Sequence, residues 1–290
     1  MNAVSPLEAV KQHLVNLKMA AALEVLDSVL DQVERQQLST LEALDCLLAE
    51  EYTRRETRRI RAQLLTSRLT QVKTLESFDF SFQPSLDRNR ILTLAELSFI
   101  DRRQTVHLLG PPGVGKSHLA IALGVAAVKA HKSVYFTTLT ELITSLTQAE
   151  RAGSLTSRLR YINRAALLIV DEVGYLPLEP GGANLFFQLV NARYEKGATV
   201  LTSNRGFKDW GTIFGDNVVA AALLDRLLHH AIVVEIEGHS YRLREHANLV
   251  PDTLKGHSLD RVEKPKRKPG RPRQRQAYCP QHPGAEPRQP

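Results

Sequence analysis

The stretch Gly110-Pro111-Pro112-Gly113-Val114-Gly115-Lys116-Ser117 brings three glycines, an ammonium and a hydroxyl together. It follows the apolar run Thr105 to Leu109 and opens the apolar stretch His118 to Ala130. Strand, glycine-rich loop, helix is the setting of a phosphate-binding loop. The glycines let successive backbone N–H groups point inward at a phosphate, and the helix N-terminus adds partial positive charge. Lys116 then reaches the β- and γ-phosphates of a nucleotide, and the Ser117 hydroxyl ligates Mg²⁺. The expected nucleotide-binding residues are Gly110, Pro111, Pro112, Gly113, Val114, Gly115, Lys116, Ser117 and His118.

A second constellation is Leu167-Leu168-Ile169-Val170-Asp171-Glu172. An apolar strand delivers Asp171 to its C-terminal end, where open α/β folds bind ligands. Asp171 is the second expected metal residue, holding Mg²⁺ directly or through water. Glu172 is placed to orient and polarise an attacking water, which points to hydrolysis. Asn204 ends the next strand. It either binds the γ-phosphate or lytic water, or simply makes the turn before Gly206. Arg226, in Leu224-Asp225-Arg226-Leu227, has three readings: an ion pair with Asp225, a solvated side chain, or an arginine finger for a neighbouring subunit. Arg242, in Gly238-His239-Ser240-Tyr241-Arg242, is within reach of the γ-phosphate of its own subunit. Glu172, Asn204, Arg226 and Arg242 are therefore the candidate catalytic residues. His229 and His230 read as the end of a helix rather than as metal ligands.

Positioning these groups requires alternating strands and helices. Strands are expected at Thr105–Leu109, 133–137, 165–170, 198–201 and 232–236. Helices are expected at 118–130, 140–150, 155–164, 183–196 and 217–230. Residues 165–170 form a near-continuous apolar run, as in parallel strands buried on both faces. Right-handed crossovers then give an α/β, doubly wound, five-stranded parallel sheet with helices on both faces. A short amphipathic helix is expected from Ile91 to Ile100.

Ahead of this core, Val10, Leu14, Leu17 and Ala21 share one helical face, and Leu23, Leu26, Leu30 and Val33 another. Ser39 or Thr40 caps a third helix that runs into Arg54, Arg55, Arg58, Arg59 and Arg61. Arg54, Arg58 and Arg61 share a face. They either contact DNA phosphates or form a solvated flank beside Glu50, Glu51 and Glu56. Phe78, Phe80 and Phe82 lie in a polar linker, where they either cover a base or pack on the core. The expected domains are a small all-α domain at 1–75, a linker and lead-in helix at 76–104, a nucleotide-binding core at 105–250 and a basic tail at 251–290.

The chain has 290 residues, 43% hydrophobic and 24% charged, an ordinary globular composition. It contains no apolar run long enough to span a membrane, and no membrane partner is expected. The absence of a signal-peptide layout and the distant Cys46 and Cys279 point to a cytoplasmic protein with reduced thiols. From Arg261 to Arg275, eight Lys/Arg oppose the single acid Glu263, so this stretch carries the whole formal net charge of +7. Its Pro-, Gly- and charge-rich composition predicts disorder. Lys266-Arg267-Lys268-Pro269-Gly270-Arg271-Pro272-Arg273 resembles an AT-hook, whose arginine enters a narrow minor groove. A non-specific basic tail is the alternative, and both put it on nucleic acid. Cys279-Pro280-Gln281-His282 lacks the second ligand pair of a zinc site.

Taken in order, these motifs resemble the IstB-like helper ATPases of bacterial insertion sequences. These are a branch of the AAA+ superfamily close to the DnaC helicase loaders. The resemblance rests on Gly110 to Ser117, the strand ending at Asp171 and Glu172, and Thr202-Ser203-Asn204. It also rests on Asp225-Arg226-Leu227, Gly238 to Arg242, and Lys73-Thr74-Leu75-Glu76 with Phe78 to Phe80. It spans roughly residues 5–250. It implies an ATPase using ATP and Mg²⁺ that assembles as a homo-oligomer with shared sites on DNA and assists a cognate transposase. By resemblance, Asn204 matches sensor 1, Arg226 the finger and Arg242 sensor 2. The helix pair at 140–164 matches an extra helix of the initiator and loader branch, which makes Arg151, Arg158 and Arg160 candidate DNA contacts. Too few residues follow Ile236 for the helical lid many AAA+ proteins carry. A replicative helicase loader shares the same core and is the alternative. A small-molecule kinase fits less well, because Glu172 and Arg226 serve hydrolysis. No carboxylate triad of a recombinase is evident.

Overall fold

The computed structural model describes residues 5–246, apart from 70, 176, 177, 179 and 180. Three helices open the chain: α1 (Pro6–Asn16), α2 (Ala20–Glu34) and α3 (Thr40–Thr66). Sequence-local chemistry starts two of them. Ser5 Oγ accepts from Glu8 N at 3.2 Å with Pro6 in the first turn, and Ser39 and Glu42 form a reciprocal capping box. α2 has no side-chain cap of its own. Its first amides instead donate to Glu51 of α3, Ala21 N at 2.9 Å, and Arg55 holds Glu51 at 2.7 Å. Arg55 also donates to the carbonyls of Leu17 and Lys18.

These pairs give the arginine-rich helix a largely structural role. Arg54 makes a bidentate pair with Glu24 of α2, and Arg59 pairs with Glu56. Arg55 and Arg59 are thus structural, and Arg54 ties two helices together. Arg58 and Arg61 remain exposed. The C-terminal part of α3 reaches the core, where Ile60 and Leu64 pack against the main apolar cluster.

The expected lead-in helix is two helices, α4 (Arg88–Ala95) and α5 (Ser98–Asp101). Leu97 breaks it at φ 64°, which lets Leu94, Leu97, Phe99 and Ile100 all enter the core. The alternating part follows: β1 (Thr105–Leu109), α6 (Lys116–Lys129), β2 (Val134–Thr138), α7 (Leu139–Arg151), α8 (Leu155–Asn163) and β3 (Leu167–Val173). It continues with α9 (Gly182–Arg193), β4 (Ala198–Ser203), α10 (Trp210–Phe214), α11 (Asn217–Leu228) and β5 (Ala231–Glu235). The five strands are parallel in the order β2-β3-β4-β1-β5. The α/β class and strand number are those expected from the sequence.

The strand period of two splits the apolar residues between the two faces. Leu167 and Ile169 point to the α6 side with Leu119, Leu123 and Val128. Leu168 and Val170 point to the side of α7, α9 and α11 with Leu142, Leu189 and Leu223. Each fully buried Leu or Ile contributes about 1.5–3 kcal/mol. α10 carries no strong sequence signal. Tertiary packing forms it: Trp210 is completely buried against Phe207, Phe214 and His107 of β1.

The basic stretch 261–275, its AT-hook-like segment and Cys279 to His282 lie outside the described residues. Among those described, no helix is long and apolar enough to cross a membrane.

Candidate nucleotide site

The loop Gly110–Gly115 leaves β1 at its C-terminal end and passes directly into α6. Gly113 and Gly115 adopt φ of 83° and 103°, left-handed values that favour glycine. Space excludes a side chain as well. A Cβ on Gly113 would run into Ser240 Oγ, and one on Gly115 would lie 2.5 Å from the Phe78 ring. The glycines therefore shape the loop and also let two other segments close against it.

Those segments are the linker and the residues after β5. Together they wall a cleft of about 320 Å³ over the loop. Phe78, Lys116, Ser117, His118, Tyr241 and Arg242 are among its lining. Tyr241 N donates to Gly113 O at 3.0 Å. The buried Gln83 donates to His239 O at 3.0 Å, so the linker is tied to the same terminal segment. Phe78 sits edge-on to His118 and to Phe80, with ring centroids 5.3 and 4.8 Å apart. Phe80 packs on the core and Phe82 on Tyr241, so of the three aromatics it is Phe78 that faces the cleft. His118 uses Nε2 to donate to Thr74 O at 3.0 Å, fastening the first turn of α6 to the linker.

Lys116 is buried, and its Nζ donates to Gly110 O and Pro111 O at 2.7 and 2.8 Å. Burial pushes its pKa down to about 8; Asp171 opposes the shift and the Arg242 charge adds to it. A buried ammonium beside a second cation is an environment that an anion would relieve. Of the other loop residues, Val114 is buried and lines the cleft, while Pro112 is exposed at the tip.

Ser117 Oγ donates to Asp171 Oδ1 at 2.9 Å, so the two residues expected to share Mg²⁺ do meet. The donors are a hydroxyl and a carboxylate, the oxygen chemistry that suits a hard cation. Thr202 of β4 also donates to Asp171 Oδ1, and its hydroxyl accepts from Glu172 N at 3.0 Å. In the sequence, Thr202 stands out only as part of a strand end; a hydroxyl at the C-terminal end of a strand beside Asp171 is the signal it carries. Between Val170 and Val173, β3 carries one residue more than β4. Asp171 and Glu172 form this bulge, and Glu172 takes φ 62°. Bulges re-aim side chains and recur next to active sites, and a non-glycine left-handed residue is strained. Asn204 follows β4 with its buried Oδ1 lacking a hydrogen-bond partner, an orphan acceptor at the same end of the sheet.

Arg226 is not brought to this cleft. It lies in the last turns of α11 and lines a different cavity with Thr105 and Thr199, at the N-terminal end of the strands. It donates to Asn191 Oδ1 at 2.9 Å and stacks over Phe187 at 4.8 Å. Asp225 is not its partner. Arg158 is likewise occupied, donating to Ser145 and Tyr135 and stacking on Tyr161, whereas Arg151 and Arg160 are exposed.

A family described as IstB-like ATP binding protein matches residues 12–248, which contain every group in the cleft. The chain belongs to the IstB-like ATP-binding proteins. Within this family, the putative ATP-binding protein of insertion sequence IS21 from Pseudomonas aeruginosa is 49% identical over 232 residues, covering 80% of this chain and 88% of the relative. The corresponding IS5376 protein of Geobacillus stearothermophilus is 41% identical over 238 residues, covering 82% and 95%. Among solved structures, the crystal structure of DnaI has a TM-score of 0.48 at 23% identity, covering 57% of this chain and 90% of DnaI. The DnaC helicase loader gives 0.44 at 23% identity, covering 52% and 90%.

Proposed function

We propose that the chain is an AAA+ ATPase that binds ATP with Mg²⁺ over the Gly110–Ser117 loop. It would hydrolyse the ATP, assemble on DNA and assist the transposase of its insertion sequence. The observation that carries the reading is that Ser117 meets Asp171 next to the buried Lys116, whose ammonium is held by the Gly110 and Pro111 carbonyls, in a chain of this family. Lys116 neutralises the β- and γ-phosphates, and Ser117 and Asp171 hold the metal. Bound there, Mg²⁺ would offset charge on the phosphate oxygens. Glu172 accepts a proton from the attacking water, its backbone fixed by Thr202. Asn204 offers its free acceptor to the same water. Arg242 faces the γ-phosphate from the opposite wall. Arg226, at the far end of the sheet, serves the site of a neighbouring subunit.

Three further parts complete the proposal. The helices of 1–75 and the basic tail contact DNA or the transposase, the core of 105–250 is the motor, and the protein works in the cytoplasm. The test is nucleotide binding and turnover with and without DNA. Glu172→Gln should bind ATP normally and lose about 10²–10⁴ in rate, the range of a positioned general base. Normal hydrolysis by that variant would remove its assigned role. Co-purification and strand-transfer assays with the neighbouring transposase test the partner; stimulation of a replicative helicase instead would favour a loader.

A further inference from the structure

At the end of the sheet remote from the nucleotide cleft, Glu195, His229 and His230 offer ligand atoms that all lie within 4.8 Å of one another. They come from two connections. Glu195 stands between α9 and β4 in a left-handed conformation, φ 57°, and Arg103 binds its carbonyl at 2.9 Å. The histidines join α11 to β5. His230 Nε2 is 3.8 Å from Glu195 Oε1, and the two imidazole centroids are 4.0 Å apart. Two ligands at 2.0–2.1 Å from one tetrahedral ion are about 3.3 Å apart, so a small closure of exposed side chains completes the geometry.

His229 has a hydrogen-bond partner beside the cluster. Its Nδ1 lies 2.6 Å from the Tyr194 hydroxyl, which also interacts with the Glu195 carboxylate. If the phenol donates to that carboxylate, it accepts from Nδ1–H. The Nε2 lone pair is then free to coordinate. An outer hydrogen bond that fixes the tautomer in this way is the usual companion of a metal-bound histidine.

We propose that Glu195, His229 and His230 form a binding site for a borderline divalent ion, Zn²⁺ first, with the fourth position left to water. Two imidazoles and one carboxylate suit zinc and disfavour Mg²⁺, which takes oxygen ligands. The ion joins the end of α9 to the end of α11. Arg226 of α11 is already held to Asn191 and Phe187 of α9, so the ion adds a second tie between the same two helices. This site is independent of the function proposed above.

The test uses the full chain stripped by chelator and titrated with Zn²⁺, or Mg²⁺ for comparison, by calorimetry. One Zn²⁺ should bind per chain with no comparable Mg²⁺ binding at this site. His229→Gln and His230→Gln should each weaken Zn²⁺ by more than the about 10–100-fold typical of an outer-shell loss, and Tyr194→Phe should fall within that range. Co²⁺ on the unmodified chain should give the intense d–d bands of four-coordinate nitrogen and oxygen ligation, which needs no variant to fold. Unchanged affinity in both histidine variants would overturn the site. So would a thiolate charge-transfer band, which would move the ion to a cysteine.

Discussion

Lys116 concentrates the chemistry of the site in one side chain. It is buried, with two carbonyls as acceptors and a pKa pushed down to about 8 by burial. Phosphates would raise that value, so nucleotide binding takes up a proton when the pH exceeds about 8. ATP affinity should therefore be level just below pH 8 and fall by up to about tenfold per pH unit above it. Isothermal titration across pH 7–10 measures this, and a flat profile would mean that the lysine stays charged throughout. For folding the sign is opposite. The unfolded chain holds this proton more tightly between about 8 and the ordinary 10.5, so the cost of burying the charged lysine is full below 8 and vanishes above 10.5. Lys116→Ala should lose about 2–5 kcal/mol of ATP binding, roughly 30- to 5,000-fold, read by equilibrium binding.

At the scale of elements, the N-terminal helices depend on one carboxylate. Glu51 closes the start of α2, a helix without a cap of its own. Burial raises the Glu51 pKa, but hydrogen bonds from Arg55 and the Ala21 and Ala22 amides outweigh it, so the net shift is downward. Its contribution to stability is complete above the ordinary value of 4.5 and is lost as pH falls through the lower folded value. Glu51→Gln should melt at a lower temperature at neutral pH. The difference from the parent chain should shrink as the pH falls below the ordinary value of 4.5, as followed by circular dichroism. A gap that persists in acid would assign the effect to packing instead of charge. Arg54 and Arg55 of α3 are engaged by Glu24 and Glu51, whereas Arg58 and Arg61 are exposed.

At the scale of the molecule, the nucleotide cleft and Arg226 of α11 occupy opposite ends of the sheet. If Arg226 serves a neighbour, Arg226→Ala should bind ATP and lose about 10³–10⁵ in rate. Mixed with Glu172→Gln it should regain part of that rate, because some sites pair an intact Glu172 with an intact Arg226. Mixtures shown to co-assemble without recovery would end the shared-site reading. The tail offers a second test. Truncation after Asp260 should leave hydrolysis intact and lower the slope of log affinity against log salt by about 0.9 for each phosphate the tail had neutralised. Equal slopes would take the tail off the DNA.

The loop Gly110–Ser117, the strand ending in Asp171-Glu172, the five-stranded α/β class and the family were legible from the chain because each is local. Such features depend on glycine spacing, on apolar period and on a few residues in contiguous order. The adjacency of Ser117 and Asp171 was inferable because strand ends converge in a parallel sheet. What tertiary structure decided involves partners far apart in sequence. No pattern near Ala20 announces that Glu51 will cap its helix, and no pattern near Gly113 announces Ser240. The left-handed Glu172 arises because β3 must fit one more residue than β4 while Thr202 holds its amide. The break at Leu97 and the helix around Trp210 likewise come from core packing, which overrides local preference. Most of all, the sequence names Arg226 but not its location: only the crossover of α11 back to the start of β5 carries it away from the cleft of its own chain.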